Sequence, residues 1–182
     1  PPADSEACVT NAIHAGYRLL DTAQAYFNEA EVGSAVAKSG IDRKEFFLVT
    51  KVWISNAGEA RAAASIDASL EKLGTDYVDL LLIHQPFGDV FGTWRAMERA
   101  YADGKVRAIG LSNFYDGRYI DICEHADVKP AVVQLEAHVF SQKKRMRELM
   151  RAYGTRLMAW APFAEGRNGL FTNPTLEAIG RR

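Results

Sequence analysis

The apolar residues of this chain alternate between two patterns. Short and nearly continuous apolar runs predict strands buried on both faces, as in a parallel sheet. Five such runs follow one weaker run, and in chain order the six segments are 18–21, 46–49, 78–83, 106–111, 131–133 and 157–160. The intervening stretches carry apolar residues at the spacing of amphipathic helices. The pattern predicts a first helix, then six strands separated by five helices, and the start of a further helix at 174–176.

The predicted helices carry apolar stripes and end at glycines, which tolerate the left-handed cap conformation. The stripes, which we expect to pack on the sheet, are Ile66/Leu70/Leu73, Trp94/Met97/Tyr101 and Met146/Leu149/Met150/Tyr153. The glycines that precede the strand-forming runs are Gly16, Gly40, Gly74, Gly104 and Gly154. This strict alternation of helix and strand predicts a doubly wound sheet or a barrel.

Each predicted strand ends on a residue with useful chemistry. These residues are Asp21, Lys51, His84, Asn113, Gln134 with Glu136, and Trp160. They recur at intervals of roughly 30 residues, about one strand-plus-helix unit. In a (β/α)8 TIM barrel the carboxyl ends of all strands meet at one mouth, where active sites lie. A complete barrel needs about 250 residues, so we expect residues 1–182 to form one incomplete barrel domain, truncated at both ends, with about six of the eight strands.

Composition and charge exclude several classes of function. The formal net charge of −1 gives no reason to expect a nucleic acid or an acidic membrane as partner. The one basic run, at 143–147, is interpreted as a solvated helix face. No apolar run reaches the roughly 18 residues of a membrane span, and the first residues lack the features of a signal peptide. Cys8 and Cys123 fit buried thiols in a reducing compartment, so we expect a cytoplasmic protein.

Four residues at the first three strand ends suit proton delivery to a carbonyl. Asp21 and Lys51 both end buried strands and are expected to pair, because an unpaired buried charge is costly. Tyr26 lies in the loop after Asp21, where a nearby ammonium would lower the pKa of its phenol. His84 is placed to donate a hydrogen bond to a carbonyl oxygen. None of these side chains supplies a hydride, so reduction would require a nicotinamide cofactor.

Each of these residues also has a simpler interpretation. Asp21 could cap a turn, Tyr26 could serve packing, and His84 could be a satisfied buried histidine. Lys51 could be a Schiff-base lysine, as in a barrel aldolase, or half of a structural ion pair. Their joint occurrence at successive strand ends favours a catalytic group. Glu136 and His138 could indicate a metal pair, but two ligands without a third make a weak site, and no metal is predicted.

The segment 16–29, GYRLLDTAQAYFNE, resembles the signature of the aldo-keto reductases. The resemblance extends in order along essentially the whole chain, through VTKVW at 49–53, LIHQP at 82–86, GLSNF at 110–114, QLEAH at 134–138 and AWAP at 159–162. The sequence QPFGD at 85–89 is most similar to the bacterial branch that includes the diketogluconate reductases. The resemblance implies NADPH-dependent reduction of aldehydes or ketones to alcohols.

The same resemblance implies a role for each site residue. Tyr26 would be the general acid, Lys51 held by Asp21 would depress its pKa, and His84 would orient the carbonyl. Hydrogen bonds to the nicotinamide carboxamide would come from Ser112, Asn113 and Gln134, and Trp160 would stack on the ring. Phe27 and Trp53 would line an apolar substrate pocket, although ordinary packing is the alternative for both.

The family resemblance also sets limits on what this chain should do alone. The basic segment that grips the cofactor 2′-phosphate in the family is not present in these residues. A monomer is expected for the complete protein, with a small carbonyl compound as its partner. The alternative is a non-catalytic binding or structural relative that does not bind cofactor productively, since the fold also serves such roles.

Overall fold

The computed structural model describes residues 2–182, and the side chains from residue 4 onward. The chain forms six strands: β1 Leu19–Asp21, β2 Phe47–Val52, β3 Leu80–Ile83, β4 Ile109–Ser112, β5 Val132–Glu136 and β6 Arg156–Trp160. Helices alternate with them: α1 Pro2–His14, α2 Glu29–Lys38, α3 Glu59–Leu73, α4 Val90–Ala102, α5 Asp116–His125, α6 Lys144–Ala152 and α7 Pro174–Gly180. The predicted order of elements is therefore confirmed.

The six strands form one parallel sheet in which each strand pairs with the next along the chain. This order distinguishes a portion of a barrel from a doubly wound sheet, in which the strand order reverses at a switch point. All the carboxyl ends therefore lie at one edge, and the loops after them lie side by side. This edge is called the mouth below.

The central strands are buried on both faces, as their continuous apolar runs predict. Leu81 and Ile83 of β3 belong to a large core shared with the surrounding helices. Leu80 and Leu82 point to the opposite face, where they form a second cluster with Val49. Successive strand residues alternate between faces, so a strand needs apolar residues throughout when both faces are covered.

The two outer strands differ from this prediction. Leu19 of β1 is 47% exposed, and the residues of β6 are intermediate or exposed. Each of these strands pairs on one side only within the described residues. The apolar pattern identified them as strands, but their burial depends on a neighbour rather than on their own sequence.

Two of the three predicted apolar stripes pack as expected, and one is only partly buried. Ile66 and Leu73 are buried on α3, and Met146 and Met150 on α6. On α4, Trp94 and Met97 are buried but Tyr101 is exposed at the last turn, which corrects the expected stripe. The prediction that both thiols are buried is correct for Cys123 and wrong for Cys8, which is exposed on α1.

Gly33 and Gly74 show two uses of glycine in the helical layer. Gly74 has φ 62° after α3, and its amide caps the carbonyl groups of Glu71 and Leu70. Gly33 lies where α2 approaches the end of α3, and a Cβ there would come 2.4 Å from the Leu73 carbonyl oxygen. The close approach of these helices therefore requires the missing side chain. Among the described residues, none of the helices is long and apolar enough to span a bilayer.

Candidate active site

Lys51 and Asp21 meet at the mouth, at the ends of two adjacent strands. The Lys51 side chain is only 1% exposed, and its Nζ donates to Asp21 Oδ1 and, at 2.9 Å, to the carbonyl oxygen of Thr22. The parallel register pairs Asp21 with Val49, so Lys51, two residues further along β2, projects from the same face of the sheet as Asp21. A buried ammonium is tolerable only with such acceptors, so the pair is fixed in place by the cost of separating it.

Tyr26 lies above this pair in a short 3-10 turn, Gln24–Tyr26, that follows β1. Lys51 Nζ is 5.0 Å from the centroid of the Tyr26 ring. The tyrosine is 47% exposed, so a molecule at the mouth can reach its phenol. The arrangement places a buried positive charge against the ring of a half-exposed tyrosine.

His84 follows β3 and completes the group. Its ring lies 5.6 Å from the Tyr26 ring and 5.0 Å from the Trp53 ring, edge-on to both. Burial, and secondarily the positive charge of Lys51, lower the pKa of His84 from 6.5 to about 4, although Asp21 opposes this shift. The imidazole is therefore neutral at neutral pH, with one nitrogen able to donate and the other to accept.

A second set of polar side chains lies on β4, β5 and β6. Asn113 Nδ2 donates to Ser112 Oγ at 3.1 Å and to the His84 carbonyl oxygen at 3.2 Å. Trp160 Nε1 donates to Asn113 Oδ1 at 3.0 Å. Asn113 has φ 63°, a left-handed conformation that asparagine adopts more readily than most residues.

Gln134 joins the two sets. Its Nε2 donates to Asp21 Oδ2 at 2.7 Å, so one carboxylate accepts from both Lys51 and Gln134. Ser112 and Gln134 are both buried. The sequence predicted two separate sets of residues, one facing the substrate carbonyl and one facing the nicotinamide. In the structure, Gln134 bonds Asp21 through its side chain, and its backbone carbonyl accepts from the Asn113 backbone amide at 3.0 Å, so the two sets of residues adjoin at the mouth.

Phe27 and Trp53 line a cleft of about 540 Å³ whose other wall is the helix α3. Phe27 is 81% exposed. Trp53 borders this cleft and also contacts the His84 ring. Polar side chains such as Asn56 and Ser65 share the lining with Phe27 and Trp53.

Glu136 and His138 lie 3.2 Å apart as an ion pair or hydrogen bond. Within residues 2–182, no group of three or more histidine, cysteine or carboxylate side chains is arranged to hold a metal ion.

Two residues near the site received no role from sequence reasoning. Asn28 Oδ1 accepts from Thr22 Oγ1 at 2.6 Å, across the loop that carries Tyr26. Gln24 makes hydrogen bonds to two other segments of the chain. The sequence feature that could have identified both residues is a side-chain amide within four positions of Tyr26.

Comparison with known proteins identifies the family of this chain. Residues 1–174 match the model of the Aldo/keto reductase family. The chain belongs to the aldo/keto reductase family. It is 41% identical over 175 residues to a glyoxal reductase from Bacillus subtilis (strain 168), covering 96% of this chain and 63% of that protein.

Solved structures of aldo-keto reductases share the fold. A putative 2,5-diketo-D-gluconic acid reductase B has a TM-score of 0.92 at 38% identity, covering all of this chain and 65% of its own. A Bombyx mori aldo-keto reductase in complex with NADP has a TM-score of 0.91 at 30% identity, covering all of this chain and 66% of its own. The expected family, branch and barrel-type fold class are confirmed.

The chain spans less than two thirds of the length of several curated aldo-keto reductase relatives. It covers 65% of an aldo-keto reductase from Mycobacterium sp. (strain JLS) and 63% of the glyoxal reductase.

Proposed function

We propose that this aldo-keto reductase chain carries the site that reduces an aldehyde or ketone to an alcohol with NADPH. The observation that carries the proposal is the meeting of Asp21, Tyr26, Lys51 and His84 at the carboxyl ends of three adjacent strands. An accessible phenol, a buried ammonium with its carboxylate, and a neutral imidazole together suit protonation of a carbonyl oxygen.

Tyr26 would act as the general acid. As hydride reaches the carbonyl carbon, the oxygen gains negative charge, and the Tyr26 hydroxyl would transfer its proton to that oxygen. The phenolate left behind is stabilised by the Lys51 ammonium, which lies 5.0 Å from the ring centroid and is shielded from water. Asp21 keeps Lys51 at this position.

His84 would hold the carbonyl oxygen in place. A neutral imidazole can donate one N–H to that oxygen without competing with Tyr26 for the proton. His84 Nδ1 is buried and has no partner among the described residues. The His84 and Tyr26 rings are in edge-on contact, with centroids 5.6 Å apart, so a carbonyl oxygen bound at the mouth beside both rings would receive hydrogen bonds from both.

The cofactor assignment rests on the chemistry of the second set of residues. A nicotinamide presents a flat ring and a carboxamide with a donor and an acceptor. Beside the tetrad the chain offers a hydroxyl group on Ser112, amide groups on Asn113 and Gln134, and the indole of Trp160. These donors and acceptors fit the group, and NADPH when bound would supply the hydride.

Replacing Tyr26 by phenylalanine tests the proposal. The variant removes one oxygen atom from a half-exposed side chain, so the fold should persist. We expect the rate of NADPH-dependent glyoxal reduction to fall by about 10²–10⁴-fold, the usual contribution of a general acid. Glyoxal is chosen because a relative is a glyoxal reductase. NADPH binding, measured by nicotinamide fluorescence, should be unchanged.

Tyr17→Phe is the matched control, because Tyr17 is exposed and lies outside the mouth. A Tyr26→Phe variant that reduces glyoxal as fast as Tyr17→Phe would contradict the assigned mechanism. A wild-type chain that shows no change in nicotinamide fluorescence would instead favour the non-catalytic alternative.

A further inference from the structure

Gln24 makes four hydrogen bonds that join three segments of the chain. Its Oε1 accepts from the Trp53 backbone amide at 2.8 Å and from Asn56 Nδ2 at 2.9 Å. Its Nε2 donates to the Ser65 carbonyl oxygen at 3.2 Å and to Ser69 Oγ at 3.1 Å. Both lone pairs of the oxygen and both hydrogens of the nitrogen are thus used. The side chain connects the loop after β1, the loop after β2 and the helix α3.

Apart from Gln24, the turn that carries Tyr26 is held by its own backbone bonds and by the Thr22–Asn28 hydrogen bond across the loop. It is a single 3-10 turn whose N-terminal residue, Ala23, has no side chain able to cap it. Its backbone hydrogen bonds are Tyr26 N–H to the Ala23 carbonyl at 3.0 Å and Phe27 N–H to the Gln24 carbonyl at 3.4 Å. Such short turns have poor hydrogen-bond geometry and are only weakly stable alone. Half of the Tyr26 side chain is solvent-exposed, so its own packing fixes the turn only in part.

Trp53 depends on the same amide group. The hydrogen bond from its backbone N–H to Gln24 sets the start of the loop after β2. The Trp53 indole lies 5.0 Å from the His84 ring. Gln24 therefore contacts the segments that carry the proposed acid and one wall of the carbonyl site. A shift of either segment would change the distance between Tyr26 and a carbonyl bound beside His84.

We propose that Gln24 is a positioning residue that holds Tyr26 and Trp53 in register at the mouth. The inference rests on the proposed carbonyl reduction, because it assigns Gln24 to the same site. A displacement of about 1 Å at a reacting group can cost about 10²-fold in rate. Loss of the Gln24 amide should therefore lower kcat by displacing Tyr26 and Trp53. Gln24 also borders the cleft lined by Phe27 and Trp53, so KM is determined separately from kcat.

Two substitutions at Gln24 separate the effect of its hydrogen bonds from the effect of its side-chain volume. Gln24→Met keeps the length of the side chain and removes all four hydrogen bonds. Gln24→Glu keeps one acceptor oxygen for both Trp53 and Asn56, while its second oxygen replaces the donor and faces the Ser65 carbonyl oxygen, which it repels. Gln142→Met is the matched control, because Gln142 is exposed and makes a single long hydrogen bond to the Val139 carbonyl.

The first measurement is steady-state reduction of glyoxal by NADPH, with kcat and KM determined separately. We expect kcat to fall by about 10–100-fold in Gln24→Met and by less in Gln24→Glu, with NADPH binding unchanged in both. If the role of Gln24 were purely structural, the substitutions would lower the fraction of folded protein. The kcat per folded molecule would then be the same in every variant. A Gln24→Met variant with the kcat of Gln142→Met overturns the proposal.

The second measurement is hydrogen exchange of the Trp53 backbone amide in the cofactor-free protein. The amide should exchange about tenfold or more faster in Gln24→Met, while core amides such as that of Val133 keep their protection. An unchanged Trp53 amide overturns the positioning role whatever the activity. A wild-type chain that reduces no carbonyl overturns the proposed function, and the exchange result still decides whether Gln24 fixes the segment that begins at Trp53.

Discussion

Substitution of Asp21 by asparagine should destabilise the chain through the buried charge of Lys51. Removing one partner of a buried ion pair costs about 3–5 kcal/mol when both are inaccessible. The Asp21 side chain is 30% exposed, so water replaces part of the lost interaction. The asparagine also has one oxygen for two donors, Lys51 and Gln134, which both bond the carboxylate. We expect a loss of about 2 kcal/mol in the free energy of unfolding.

The assay is thermal and urea denaturation followed by circular dichroism. For a chain of this size, each kcal/mol shifts the midpoint by about 2–4 °C, so Asp21→Asn should lower Tm by about 4–8 °C. Asp67→Asn is the control, because the Asp67–Lys105 pair on the surface is exposed on both sides. Its loss should cost less than about 0.5 kcal/mol.

A double-mutant cycle with Lys51→Met isolates the interaction. Methionine removes the buried charge while keeping most of the side-chain length. In that background the asparagine oxygen is free to accept from Gln134, so Asp21→Asn should cost less than about 0.5 kcal/mol. The reasoning is refuted if Asp21→Asn costs the same free energy with lysine and with methionine at position 51.

Two further predictions concern His84 and Gly33. Burial and the Lys51 charge lower the pKa of His84 to about 4, so its contribution to stability is complete above pH 6.5 and is lost as pH falls towards 4. An NMR titration of the ring should show a midpoint near 4, and a midpoint near 6.5 would contradict this. Gly33→Ala should cost about 1–3 kcal/mol in urea denaturation, because its Cβ would collide with the Leu73 carbonyl oxygen. Gly117→Ala on α5 has open space and should be neutral or stabilising by up to about 1 kcal/mol, so equal effects would refute the argument.

The order of elements and the strand-end residues were predictable because both are local. Continuous apolar runs mark central strands, and Lys51 at the end of such a run had to find an acceptor. Asp21, one strand-and-helix unit earlier, was the acceptor expected, and the parallel register provides it. The final residues of each strand then fall at one edge, so the residues that face the substrate carbonyl could be predicted from the sequence alone.

The exposure of Leu19, Tyr101 and Cys8 was not predictable in the same way. Each lies in a pattern that predicts burial, but burial is set by what packs on that position from elsewhere in the chain. Leu19 is in a strand that pairs on one side only within the described residues, and Tyr101 lies in the last turn of its helix. The spacing of apolar residues does not show that Leu19 lacks a second strand partner among the described residues or that Tyr101 is exposed.

The sequence alone determined the alternation of strands and helices, the side chains at the strand ends and, through its motifs, the family. These depend on residue type and spacing over short stretches. The tertiary structure alone decided that Gln134 shares the carboxylate of Asp21, 113 residues away, and that the Gln24 amide reaches α3, 41 and 45 residues away. Such bonds depend on distances and angles fixed by the packing of the whole sheet, and an amide can meet these partners only after the strands have paired.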